Sequence, residues 1–150
     1  MQLLDYSNKA ASFFNMLPND WQEVIVPQWS EYSNSSNILV LKDTNELLGG
    51  GIIFDGLSPD MKSHEKVAQK YLEQNFKYLG FIWIKENHRS KGLGKLWLQE
   101  VFRIYPHQGF WLSIEEESLK GFYEKLGFSL SETLISNGEK EWLMQRNIQP

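Results

Sequence analysis

The chain has 150 residues, 41% hydrophobic and 23% charged, with no cysteine. Its length suits one domain with its own core, and this composition excludes wholesale disorder. The net charge of −4 and the lack of Lys/Arg runs speak against a nucleic-acid partner, and the missing cysteine removes disulfides, thiolate metal sites and a thiol nucleophile.

The opening MQLLDYSNKAASFF has neither the basic start nor the long apolar stretch of a signal peptide. No apolar run reaches the length of a membrane span. A soluble, cytoplasmic protein without a membrane partner is expected. Residues 8–31 read as helical, with a break near Pro18 and Asp20 as a cap. Ile38–Lys42 and Leu47–Phe54 read as a hairpin, and Gly49-Gly50-Gly51 implies a bulge or a close backbone approach. Ser58-Pro59 starts a helix whose Val67, Ala68, Tyr71 and Leu72 recur at helical spacing. That stripe is expected to pack on the first helices.

Tyr78–Ile84 is apolar throughout, as in a strand buried on both faces. A helix runs from Leu93 to Tyr105, where Pro106 stops it. Gly109–Ile114 is a strand, and Leu119, Phe122, Tyr123 and Leu126 mark a helix closed by Gly127. Phe128–Ile135 and Glu141–Gln145 form a last hairpin across Ser136-Asn137-Gly138. With no repeat and no linker, residues 1–150 make one mixed α/β domain around one sheet.

Charge is unevenly spread. Residues 1–60 hold two basic and eight acidic side chains, net −6, whereas residues 61–150 are net +2. Positive charge gathers where the Tyr78–Ile84 strand gives way to a helix. There Arg89, Ser90, Lys91, Gly92, Leu93, Gly94 and Lys95 follow a polar turn. Glycines at a helix mouth let backbone N–H groups approach an anion, and the helix dipole adds about half a positive charge. Such a turn suits a pyrophosphate. The Walker loop does not fit, because Arg89 and Leu96 stand where it needs Gly and Ser/Thr. The dinucleotide fingerprint fails at Trp97, where its third glycine belongs. His64, His88 and His107 are too widely spaced for a zinc site, so no metal is expected.

Arg89-x-x-Gly92-x-Gly94, preceded by Ile84 and followed one strand later by Phe122-Tyr123-Glu-Lys-Leu-Gly127-Phe128, resembles the two signatures of the GNAT superfamily of acyl-CoA-dependent N-acyltransferases. The resemblance is good over residues 78–130. It implies a mostly antiparallel twisted sheet of six to seven strands flanked by about four helices. The helix between the third and fourth strands would be an addition. It further implies acetyl-CoA as acyl donor and a small-molecule or peptide amine as acceptor. Backbone groups of Ile82, Trp83 and Ile84 would pair with the pantetheine arm, amides from Arg89 to Lys95 would hold the pyrophosphate, and Tyr123 would be the general acid. Without cysteine, transfer to the amine would be direct.

Two positions depart from the family pattern. Glu116 replaces an Asn that helps hold the cofactor arm, and Trp111 stands where some members place a catalytic Glu. The Tyr78–Ile84 strand carries no carboxylate, which leaves Asp55, Glu86 and Glu115 as candidate bases. Tyr123 favours an enzyme; the missing base favours a non-catalytic acyl-CoA-binding domain. An acceptor cleft between residues 18–32 and the inserted helix would have an acidic rim.

Overall fold

Ser36–Asp43 (β2) and Glu46–Phe54 (β3) form the expected hairpin, and it is the middle of one half of a seven-stranded sheet. The computed structural model describes residues 1–149. Gln2–Asp5 (β1) adds an antiparallel edge strand to β2. Lys77–Ile84 (β4) pairs antiparallel with the other side of β3. The other half comprises Phe110–Ile114 (β5), Ser129–Ser136 (β6) and Glu139–Arg146 (β7), in the order β5-β7-β6. Asn137 and Gly138 turn the last hairpin with φ of 52° and 81°, the backbone that an Asn-Gly hairpin turn provides.

Helices cover both faces. Ala10–Phe14 (α1), Asn19–Ile25 (α2), Trp29–Tyr32 (α3) and Glu65–Glu73 (α4) lie on one side, around Phe13, Ile25, Ile52 and Trp111. Leu93–Ile104 (α5) and Lys120–Glu124 (α6) lie on the other, around Trp97, Leu98, Phe110 and Met144. No helix among the described residues is long and apolar enough to cross a membrane. The fold is thus the mixed α/β arrangement implied by the sequence, with seven strands.

The two halves meet only at a short parallel seam. Lys77 pairs with Phe110 and Tyr78 with Trp111, and the pairing ends there. Beyond it β5 continues against β7 through Ile114, while β4 continues against β3 through Ile84. The strands therefore part, and the half-buried Phe81–Ile84 borders the opening. Burial of β4 on both faces, expected from its apolar run, holds only through Gly80.

A bulge shapes the β4 side. Gly50 pairs with Trp83 and Ile52 with Gly80, so Phe81 and Ile82 together oppose Gly51. Phe81 has φ of 54°, a strained value for a bulky residue. Lys77 N–H donates across the seam to Gly109, but Lys85 N–H, eight residues on, donates to Leu48 of β3. An even separation should face one edge; the extra residue reverses it. Side chains switch too: Tyr78 and then Phe81 and Trp83 join the α1–α4 face, while Leu79, Ile82 and Ile84 join the other.

Three local expectations change. Pro18, not Asp20, caps α2, and Asp20 lies in its first turn. The inserted segment starts as expected at Ser58-Pro59, but as a 3₁₀ turn, Pro59–His64, before α4. The α4 stripe packs on the sheet rather than on the first helices. Tyr71 stacks on Trp111 at 4.2 Å and 7°, and its hydroxyl donates to Ser131 at 2.6 Å. The 3₁₀ turn reaches the first helices, where Lys62 binds Gln28 at 2.6 Å and Glu31 at 3.3 Å.

The triple glycine serves close approach. A Cβ on Gly51 would stand 2.7 Å from the Trp97 ring, which is fully buried and donates through Nε1 to Leu39 O at 2.9 Å. Gly51→Ala should therefore lower unfolding stability by about 1–3 kcal/mol, the usual cost of overpacking a core. Denaturant titration checks this; an unchanged midpoint would show that the ring yields freely.

Candidate active site

The opening between β4 and β5 is a cleft of about 850 Å³. One wall is Leu79–Ile84, the other Leu112–Glu116, and it reaches from the Arg89–Lys95 loop to the inserted turn. Backbone direction follows from the bulge. Trp83 faces β3 with its carbonyl, close to Gly49. Strand alternation then turns the backbone of Ile84, and the bulge that of Ile82, toward the opening. Of the three β4 residues implicated from the sequence, Ile82 and Ile84 thus offer main-chain groups to the cleft. Trp83 offers its ring, edge-on to Trp21 at 5.3 Å.

The loop closes the positive end. Ser90 and Gly92 have φ of 63° and 77°, and Gly92 is the N-cap of α5. The first helical bond runs from Leu96 N–H to Gly92 O, so the amides of Leu93, Gly94 and Lys95 have no partner within the helix. The first turn of α5 has no acidic residue. A Cβ on Gly92 would meet nothing within 4 Å. Open amides, positive φ and a helix dipole make a cradle that fits a pyrophosphate. Arg89 anchors it: its Nε donates to Ile84 O at 2.9 Å, and its guanidinium lies 4.2 Å from the Trp83 ring centroid. His88 Nε2 lies 2.8 Å from Glu46 Oε1 and fixes the preceding turn.

Tyr123 lines the cleft from α6. Leu126 and Phe128 N–H groups both donate to its carbonyl. Its ring sits between Phe122 at 5.0 Å and Phe128 at 5.6 Å. Burial pushes its phenol up to about 12. A neutral phenol is the form able to donate a proton.

Carboxylates gather away from the loop: Asp20, Asp60, Glu115 and Glu141 line the cleft and act on one another, and Glu116 is also on the lining. Poor hydration, and then repulsion from Glu141 and its neighbours, raises the Glu115 carboxyl above its ordinary range. Arg89 and Lys95, the only Lys or Arg among the described lining residues, stand at the loop. Of the candidate bases, only Glu115 reaches the cleft lining; Asp55 is ion-paired with Lys77 at 2.9 Å, and Glu86 lies in the exposed turn before the loop. Trp111 is buried beneath Tyr71 and Tyr78 rather than open to the cleft. Sequence reasoning did not find Asp60. Its only signal was its place in the first turn after Ser58-Pro59.

Residues 6–128 match the model of the acetyltransferase (GNAT) family. Over its whole length the fold is similar to an aminoglycoside 6'-N-acetyltransferase complexed with coenzyme A, at TM-score 0.74, 13% identity and 98% coverage of that chain. It is also similar to histone acetyltransferase HPA2 and related acetyltransferase from Corynebacterium glutamicum, at TM-score 0.72, 17% identity and 99% and 97% coverage. FeeM, an N-acyl amino acid synthase from uncultured soil microbes, superimposes at TM-score 0.68 with 13% identity, covering 97% and 94%. No curated protein sequence matches the chain significantly.

The cradle makes a testable site. A Cβ on Gly94 has only Phe122 Cζ near it, at 3.4 Å, so Gly94→Asp should fold. Its carboxylate, beside the phosphates, should weaken coenzyme A binding by about tenfold or more, roughly 1.4 kcal/mol. Calorimetry decides; unchanged affinity in the folded variant would remove the loop from the site.

Proposed function

The chain belongs to the acetyltransferase (GNAT) family, and we propose that it transfers an acyl group from acyl-CoA, acetyl-CoA foremost, directly to a primary amine of a small, cationic acceptor. The observation that carries this reading is the parted sheet, whose cleft is lined by an amide-rich, basic loop, by carboxylates and by Tyr123. Acyl-CoA supplies the acyl group activated as a thioester.

The residues divide the work. Amides from Arg89 to Lys95 hold the pyrophosphate, with Arg89 and Lys95 adding charge. Ile82 and Ile84 offer main-chain groups along the open edge of β4, much as an added strand would be received. The bulge at Phe81 and Ile82 frees main-chain groups from β3, and a backbone N–H aimed there stabilises negative charge growing on a carbonyl oxygen. Tyr123 holds the proton for the leaving sulfur. Its raised pKa keeps that proton in place at neutral pH, at the cost of a weaker driving force.

The acidic part of the lining suits an ammonium. Carboxylates there concentrate cations, and the effect shrinks as salt screens it.

Two outcomes test the reading. Tyr123→Phe keeps the ring, so stability should stay within about 1 kcal/mol of wild type. Single-turnover acetylation should slow by about a hundredfold or more; an unchanged rate would make Tyr123 structural. Amines of matched size but opposite charge should divide in favour of the cation, more at low salt than at high. A preference for anionic amines, or a rate indifferent to salt, would refute steering and leave the loop's role intact.

A further inference from the structure

An ammonium has no lone pair with which to attack, so amine acylation needs a proton acceptor. Asp60 is placed to be one. It stands in the Pro59–His64 turn inserted between β3 and β4, and its exposed surface opens onto the cleft. Tyr78 Oη donates to Asp60 Oδ2 at 2.7 Å. Tyr78 is also the residue at which β4 leaves β5, so the carboxylate is tied to the apex of the opening. Tyr78 packs edge-on against Trp111 at 4.6 Å, which keeps its hydroxyl aimed.

Apart from those of the loop, the other titratable groups on or beside the cleft lining are Asp20 on α2, Glu115 and Glu116 after β5, Glu141 on β7, His64, Tyr78 and Tyr123. Glu141 is engaged by Ser113 Oγ at 3.1 Å and faces His64 at 3.8 Å. Asp20, Glu115 and Glu116 are exposed, and no side chain among the described residues holds them. Asp60 alone among these carboxylates is held by a tyrosine hydroxyl.

Resting on the acyltransferase reading, we propose that Asp60 is the general base that takes the proton from the acceptor ammonium, and that Tyr78 positions it. One N–H bond of the ammonium breaks, its proton passes to an Asp60 oxygen, and the electron pair stays on nitrogen. That pair forms the C–N bond while the C–S bond breaks with its electrons on sulfur. Tyr123 protonates the sulfur and is restored by the second nitrogen proton. Asp60 releases the first proton through the open mouth of the cleft. Ammonium and thioester thus give amide, thiol and one proton.

The electrostatics agree. Packing against Tyr78 strips water from the Asp60 carboxyl. This raises the carboxyl above its ordinary value, and the Tyr78 hydrogen bond opposes the rise. Burial, and next the Asp60 charge, drive the Tyr78 phenol well above its usual range, so it remains a donor.

The test compares wild type, Asp60→Asn and Tyr78→Phe with acetyl-CoA and three acceptors: putrescine, spermidine and n-butylamine. It reads kcat/KM against pH, calorimetric binding of each amine to the CoA-loaded protein, CoA affinity and Tm. Asp60→Asn should lower kcat/KM by about a hundredfold or more, abolish the acid limb and weaken amine binding, with CoA affinity unchanged. Its Tm at neutral pH should be equal or higher. A carboxyl with a raised folded pKa costs stability once ionised, and the amide removes that charge. Tyr78→Phe should move the acid limb to higher pH, since it removes the bond that favours the ionised form; this tests the pair even where the Asn variant does not fold. An Asn variant with wild-type kcat/KM and acid limb would overturn the proposal. So would a wild type that binds CoA yet neither binds nor acetylates these amines. A wild type that does not bind CoA overturns the acyltransferase reading itself, and the assignment with it.

Discussion

One extra residue in β4 governs the site. With Phe81 and Ile82 opposing Gly51, the strand changes which edge its main chain presents. Without that residue, alternation would keep the Ile84 carbonyl toward β3; with it, that carbonyl is free to accept from Arg89 Nε at 2.9 Å. The same switch places Ile82 and Ile84 beside α5, and Phe81 and Trp83 among the first helices. Gly51 opposite and the Trp97 ring above leave little room for another arrangement. The positive φ of Phe81 is the strain that this packing holds in place.

The bulge acts together with the short seam at Lys77–Tyr78 and Phe110–Trp111. Each strand beyond the seam is secured by its other neighbour, β3 or β7, so the gap leaves the rest of the sheet paired. The stack of Tyr71 on Trp111, with Tyr78 edge-on, braces the apex. Charge is then sorted along the gap. Cations and open amides gather where α5 begins, and carboxylates where the inserted turn and the ends of β5 and β7 converge. Under the proposed function, an anionic donor and a cationic acceptor would each meet complementary charge in one cleft, which Tyr123 also lines.

Much of this was legible in the sequence, because local rules set it. Hydrophobic period gave β2 through β7 and α5, and Gly92-x-Gly94 marked the mouth of that helix. What escaped was set by tertiary contact. Gln2–Asp5 is four residues long and becomes a strand by pairing with β2. Phe-Ile-Trp-Ile reads as an unbroken buried strand, and nothing local announces a bulge or a half-open face. Tyr71 and Ala68 show an apolar stripe but not its target, which Trp111 decides by stacking. Asp60 resembles any acidic residue in a helix's first turn; its place in the cleft arises from Tyr78, 18 residues away in sequence.

The central claim is that the opening between β4 and β5 receives the pantetheine arm, and the loop before α5 the phosphates. Amide chemical shifts during titration with coenzyme A test this most directly. The account predicts the largest changes at Ile82, Ile84 and the amides from Ser90 to Lys95, with smaller ones at Leu112–Ile114. Changes confined to the shallow groove of Ser12, Asn15 and Asn45, or none at saturating coenzyme A, would contradict it.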